Sequence, residues 1–311
     1  MPGEFLPLPD TSPSPMHMRL GPIVQGRVPD GDSVTIGLIG RGIGASLTPR
    51  MHEAEGARLG LDYRYHLIDF DTLGLADDQL RHVLNEVREL GFAGINVTYP
   101  FKQAIVPLID QIAPDAEAIG AVNSVVFRAG KAVGHNTDNW GFAKSFRVGL
   151  PDVACKRVLQ LGAGGAGAAV AHALLECGVQ TLAIVDIVPQ RAEALAADLR
   201  ALFGAEVTAS SDPSTEARVA DGIVNTTPVG MAKLPGMPIA AELLEQRHWV
   251  ADVIYFPLET AFMAEARRRG CEVLSGAGMA VYQAVRALEL FTGLEADASA
   301  MEATFRAAVS R

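Results

Sequence analysis

Blocks of lysine and arginine are missing from this 311-residue chain, in which 36 acidic residues outnumber 26 basic ones for a net charge of −10. An acidic protein without a basic patch argues against nucleic acid or an anionic membrane surface as the partner and points to a small molecule. No apolar run reaches the roughly 18 residues of a membrane span before glycine, proline or charge interrupts it. The first residues also lack a basic region followed by an apolar core, so no export signal is expected. Cysteine is scarce. Cys155, Cys177 and Cys271 stand far apart, without the paired spacing of a zinc site or the even count of a secreted disulfide framework. A cytoplasmic, reducing setting is therefore expected. No His/Cys/Asp cluster has the spacing of a catalytic metal site, so no metal is expected. No solenoid repeat is found. A homodimer stays an open expectation, because no stretch encodes an oligomeric state.

What is present is apolar residue, 49% of the chain, enough to bury a large core divided into two domains. Residues 1–32 are rich in Pro, Gly and Ser without a sustained period and read as a flexible N-terminal tail. From residue 34 the pattern alternates: "VTIGLIG" (34–40), "YRYHLIDF" (63–70) and "GINVTY" (94–99) read as strands, with helical periodicity over 50–60 and 77–90. The alternation restarts after 139 with strands at 157–162, 181–186, 221–227 and 249–255 and helices over 165–177 and 189–202. Such units give an α/β fold of two domains, each with a mostly parallel sheet covered on both faces. The expected division is 33–138 for a substrate-binding catalytic domain and 139–277 for a Rossmann dinucleotide-binding domain. Helices over 278–311 are expected to pack back on the first.

"RVLQLGAGGAGAAVAHALLECG" places Gly162, Gly164 and Gly167 in a G-x-G-x-x-G pattern between a strand and a helix. Glycine allows the tight turn and the close approach of a pyrophosphate, and the helix N-terminus offers free N–H groups. The next strand ends at Asp186, 19 residues beyond Gly167, where a carboxylate can accept from ribose hydroxyls and would repel a 2′-phosphate. Arg191 lies further along, so NAD is expected and NADP is less favoured. As a bland alternative, Asp186 is a turn or helix-cap aspartate.

Three other loops follow strands and can converge on one crevice at their carboxyl ends. They are "GRGIGASLTPRMHEAE" (40–55), "NVTYPFKQAIVPLID" (96–110) and "GHNTDNWGF" (134–142). With "GAVNSVV", "GAGGAG", "NTTPVGM", "DVIYFPLET" and "GAGMAVYQA" in the same order and spacing, the chain from about residue 34 onward resembles the shikimate dehydrogenase family, more closely its quinate/shikimate dehydrogenase branch. The resemblance implies that Ser46 and Thr48 bind the substrate carboxylate, threonine replacing the family's second serine. It makes Lys102 and Asp138 the catalytic pair, and Thr98, Asn123, Gln283 and Tyr255 further substrate contacts. On the nucleotide side it implies Gly162, Ala163, Gly164, Gly165, Ala166, Gly167, Asp186, Arg191, Thr226 and Gly276.

The chemistry agrees with those roles. Oxidising a secondary alcohol sends a hydride to a nicotinamide and leaves a proton for the protein to manage. An ordinary lysine, at about 10.4, is a poor base near neutrality, so a lysine paired with a carboxylate is expected to act as a unit. Each residue also has a structural reading. Lys102 could be a surface lysine, although a cation early in a helix opposes the helix dipole. Asp138 could be an N-cap, Ser46 or Thr48 a cap before Pro49, and Asn123 a turn residue. Asn96 reads as structural, bonding backbone at the strand end, and Pro100 ends the strand before Lys102. His135 shows no acidic or metal partner in the sequence and reads as packing or a backbone bond. The expected activity is NAD-dependent interconversion of quinate or shikimate with the 3-dehydro acid. Alternatives are an NADP-preferring shikimate or aminoshikimate dehydrogenase, and a metabolite sensor without turnover.

Overall fold

A computed structural model of the chain describes Leu20 and residues 33–309. Its first sheet contains β1 (Ser33–Gly40), β2 (Asp62–Asp69), β3 (Gly94–Val97), β4 (Gln111–Ile112), β5 (Ser124–Arg128) and β6 (Lys131–His135), in the order β2-β1-β3-β5-β6-β4. β1 pairs in parallel with β2 and β3, and β4 with β6, while β3–β5 and β5–β6 are antiparallel. The second sheet contains β7 (Arg157–Leu161), β8 (Thr181–Val185), β9 (Glu206–Ala209), β10 (Gly222–Asn225), β11 (Trp249–Asp252) and β12 (Glu272–Leu274). Its order is β12-β11-β10-β7-β8-β9, with every pairing parallel.

The helices are α1 (Thr48–Arg58), α2 (Leu80–Glu89), α3 (Pro114–Ile119), α4 (Thr137–Gly149), α5 (Gly165–Glu176), α6 (Pro189–Phe203), α7 (Pro213–Val219), α8 (Ala261–Arg268), α9 (Gly276–Thr292) and α10 (Ala298–Val309). Their limits follow from sequence. Pro114, Pro189 and Pro213 open helices where the missing N–H costs nothing, and Gly120, Gly204 and Gly293 close α3, α6 and α9 in the left-handed region. α2 buries Leu80, Val83, Leu84 and Val87, the stripe that 3.6-residue periodicity puts on one face, each worth about 1.5–3 kcal/mol of apolar burial.

Strand order places the site. In each sheet the winding reverses at one point, between β1 and β3 in the first and between β7 and β10 in the second. The loops leaving the carboxyl ends there are where an open α/β sheet places its ligand crevice. The two sheets are joined through α4, whose Gly141 lets α9 come close: a Cβ there would lie 2.8 Å from the Gln283 nitrogen. α9 and α10 return to the first sheet. Leu288 and Phe291 cluster with Ile36 and Tyr65, and Met301 and Phe305 with Met51. The expected division at 138/139 falls in the first turn of α4.

Two expectations need correction here. The tail over 1–32 lies outside the described residues except Leu20, which is buried in the cluster of Phe70, Leu75 and Val83, so this one position belongs to the core. The strand reading also omitted β4, the β5–β6 hairpin, β9 and β12. Among the described residues no helix is long and apolar enough to cross a membrane.

Candidate active site

Lys102 sits in the turn that follows β3 and Pro100, and Asp138 in the first turn of α4 after β6. The antiparallel β5–β6 hairpin carries α4 back beside β3, so side chains 36 residues apart meet: Lys102 Nζ donates to Asp138 Oδ2 at 2.6 Å. The pair is largely shielded from water, with side-chain exposures of 21% and 9%. The helix cap is not Asp138 but Asn136, whose Oδ1 accepts from the amides of Asp138 and Asn139. That leaves the Asp138 carboxylate to the lysine.

Asn123 precedes β5 and is 3% exposed. Its Oδ1 accepts from the Thr137 amide at 2.8 Å and its Nδ2 donates to Thr137 Oγ1 at 3.0 Å. The Thr137 hydroxyl also reaches Gln283 Oε1 on α9 at 3.4 Å, so three elements converge within one turn of the ion pair. Thr98 leaves β3 beside the end of β1, where a Cβ on Gly40 would lie 2.5 Å from its methyl. Ser46 Oγ accepts from the amide of Thr48, the first residue of α1, at 3.3 Å, while the N-cap position itself is Leu47. Tyr255 follows β11, its ring 6.1 Å from that of Phe305. Although the residue is 37% exposed, desolvation of its hydroxyl, then the nearby Asp138 carboxylate, holds the phenol above the ordinary value.

The second crevice is built mostly of backbone. Gly162 has φ +105°, and a Cβ on it would sit 2.7 Å from Thr226 Oγ1, whose hydroxyl lies 2.8 and 2.9 Å from the Leu161 and Gly162 carbonyls. Gln160, fully buried beneath the loop, donates from Nε2 to the Gly162 and Gly167 carbonyls at 2.9 Å each. A Cβ on Gly164 would meet nothing within 4 Å, and one on Gly165 only Lys102 Cδ at 4.0 Å. Gly164 and Gly165 thus face open space on one side and the lysine stem on the other, whereas a Cβ on Gly167 would lie 2.6 Å from the Gly162 carbonyl oxygen. Asp186 Oδ2 accepts from the Ala163 amide at 2.7 Å and Oδ1 from the Val188 amide at 2.8 Å, fixing a carboxylate at the end of β8. Gly276 starts α9 against the Val253 carbonyl, where any Cβ would collide. Arg191 is exposed in the first turn of α6, and no side-chain contact joins it to these groups among the described residues.

Sequence reading missed several supports. Asp252 at the end of β11 accepts from Asn225 Nδ2 at 3.0 Å, the Thr260 hydroxyl at 2.7 Å and the Ile254 amide at 3.0 Å. It ties together the "NTTPVGM" and "DVIYFPLET" loops. Burial raises its carboxyl above the ordinary value despite those three donors. His135 also differs from expectation, because its Nδ1 lies 3.8 Å from Asp115 Oδ1 at the start of α3. Burial pushes the Asp115 carboxyl up, but His135 and the Ala116 and Asn136 amides outweigh it and leave the group below its usual value. Among the described residues no three His, Cys, Asp or Glu side chains are grouped to hold a metal.

Known proteins match this arrangement. Residues 38–125 fit the family described as the shikimate dehydrogenase substrate binding domain, and residues 276–304 the shikimate 5'-dehydrogenase C-terminal domain. A Streptomyces avermitilis protein named shikimate dehydrogenase (NADP(+)) is 54% identical over 87% of this chain and 94% of its own length. One from Corynebacterium efficiens named quinate/shikimate dehydrogenase (NAD(+)) is 45% identical over 88% of this chain and 98% of its own. The solved quinate dehydrogenase from Corynebacterium glutamicum in complex with NAD superposes with TM-score 0.84 at 44% identity, covering 89% of this chain and all of that one. On both fold and sequence, the chain belongs to the shikimate dehydrogenase family.

Proposed function

We propose that this protein is an NAD-dependent oxidoreductase interconverting quinate or shikimate with the corresponding 3-dehydro acid. The observation that carries the reading is the shielded Lys102–Asp138 pair beside the glycine loop. The free amides at the N-terminus of α5, the open space at Gly164 and Gly165 and the fixed Asp186 carboxylate fit a dinucleotide. A pyridine nucleotide is the cofactor, and when bound it supplies the hydride chemistry. Gly162, Ala163, Gly164, Gly165, Ala166, Gly167, Thr226 and Gly276 would form its cradle.

The side chains of the first crevice then do the rest. Ser46 and Thr48 hold the ring acid's carboxylate, while Thr98, Asn123, Gln283 and Tyr255 orient the ring. Lys102 Nζ takes the alcohol proton in oxidation and returns it to the oxygen in reduction, and Asp138 holds the ammonium in place. Residues 33–138 with 278–311 form the substrate domain in this reading, and 139–277 the nucleotide domain. The setting is cytoplasmic.

Asp186 carries the NAD preference, because a 2′-phosphate would meet its charge. A second reading, an NADP-preferring shikimate dehydrogenase, is favoured by the name of the 54% identical Streptomyces relative, with Arg191 the nearest basic group after Asp186. Initial rates with quinate and shikimate, each with NAD and NADP, separate them. Turnover mainly with NAD is expected, and Asp186→Ser should shift the NADP-to-NAD ratio of kcat/KM upward by about tenfold or more. Wild-type preference for NADP selects the second reading. No turnover with either nucleotide overturns both.

A further inference from the structure

Beneath the first crevice runs a buried chain of polar side chains that ends at Asn123 and whose other members, Tyr65, Asn96 and Ser124, have no part in the catalytic reading. Tyr65 on β2 reaches across β1, and its hydroxyl lies 2.7 Å from Asn96 Oδ1 on β3. Asn96 Nδ2 donates to Ser124 Oγ at 2.8 Å, its cross-strand neighbour on β5, and to the Asn123 carbonyl at 3.3 Å. Ser124 Oγ lies 3.1 Å from Asn123 Oδ1. All four residues are buried, with exposures from 0% to 6%.

Backbone groups dictate the polarity of this chain from both ends. The Asn123 carbonyl can only accept, so Asn96 must turn Nδ2 toward it and Oδ1 toward Tyr65, which must donate. Burial holds the Tyr65 phenol well above its ordinary value, so the proton stays available. Ser124 accepts from Asn96 and therefore spends its own hydrogen on Asn123 Oδ1. The Thr137 amide can only donate, and it too demands Oδ1 of Asn123. The Asn123 amide is thus locked in one of its two flips. One Nδ2 hydrogen goes to Thr137 Oγ1, and the second has no protein acceptor among the described residues.

We propose that Tyr65, Asn96 and Ser124 are positioning residues that fix Asn123 as a hydrogen-bond donor toward the ring acid, so that the site reads an acceptor oxygen at that point of the ring. This deepens the substrate reading above and rests on it. Without the relay only the Thr137 amide would hold Oδ1, and a loosened Asn123 would offer its oxygen part of the time and accept from a hydroxyl instead, so the relay sharpens the choice between two modes of binding the same ring.

Steady-state kinetics on the full chain tests it, with shikimate and quinate as probes and binding of each acid measured by calorimetry. Ser124→Ala should raise the ring-acid KM and Kd about 5- to 20-fold, the scale of one disrupted buried hydrogen bond. kcat should stay within about threefold and the nucleotide KM should not move, since only ground-state ring binding is touched. Tyr65→Phe, which keeps the ring's packing, should move the same constants in the same direction by less. In an Asn123→Ala background Ser124→Ala should have no further effect on ring binding, because its route to the ligand is gone. Effects that persist in that background, or that fall equally on the nucleotide KM, overturn the relay, as does unchanged ring binding in both single variants. A wild type that neither binds nor turns over either acid overturns the substrate reading itself, a result distinct from all of these.

Discussion

The two crevices meet at Lys102 and Gly165 yet are made of opposite materials. The first is lined with committed side chains: an ion pair at 2.6 Å, an asparagine locked by Thr137 and a glutamine delivered by α9. The second is lined chiefly with backbone and with missing side chains, around one carboxylate pinned by two amides. On the function proposed above, the difference follows from what each must do. Moving a proton at a chosen ring oxygen requires groups that titrate and point, whereas seating a pyrophosphate requires room and N–H groups. Substitutions should therefore separate cleanly, those in the first crevice changing chemistry or ring binding and those in the second changing nucleotide binding.

The largest break is expected at Asp138. Asp138→Asn keeps the shape but removes the charge holding the lysine, and kcat/KM should fall about 10²–10⁴-fold with nucleotide affinity unchanged. A fluorescence titration of the reduced nucleotide beside the rate assay checks the split.

Next comes the wall behind the first crevice. His52 on α1 is completely buried, its Nδ1 2.9 Å from the Tyr63 hydroxyl, and desolvation lowers it from 6.5 to about 3. It is neutral when folded and gains a proton on unfolding. Its contribution is present in full above about pH 6.5 and is lost as pH falls through the window down to about 3. Between pH 7 and pH 5 His52 alone should cost about 2 kcal/mol of stability, roughly 25-fold in the folding equilibrium. His52→Phe should lessen the pH dependence of the urea midpoint by that share. An unchanged profile would show that the site is not dry.

The smallest effect sharpens the contrast from the other side. Gly165→Val adds atoms where a Cβ has no neighbour nearer than 4.0 Å, so the fold should tolerate it. The added bulk occupies the nucleotide's room, and the nucleotide Kd should rise by about tenfold while ring-acid binding by calorimetry stays put.

The sequence made these two crevices unequally legible. The places of the glycine loop between β7 and α5 and of Asp186 after β8 could be read because local spacing after a strand marks them, and Lys102 because its motif is short and unusual. The supports could not. Tyr65, Asn96 and Ser124 come from three strands, and only the register that puts Asn96 opposite Ser124 makes them one chain. The β5–β6 hairpin escaped because its turn is Ala129–Gly130, both at positive φ, and alanine is a poor signal for a turn that usually announces itself with asparagine or aspartate. Asn136 rather than Asp138 caps α4 because two polar candidates sit two residues apart, and composition does not choose between them. Asp115, the partner of His135, lies 20 residues away on another element.

The central claim is that Lys102 carries the proton and does not merely decorate the crevice. Lys102→Ala, assayed with saturating NAD and either ring acid, should lower kcat about 10²–10⁴-fold and leave NAD affinity intact. A kcat within about threefold of wild type, less than ~1 kcal/mol of barrier, would contradict the account.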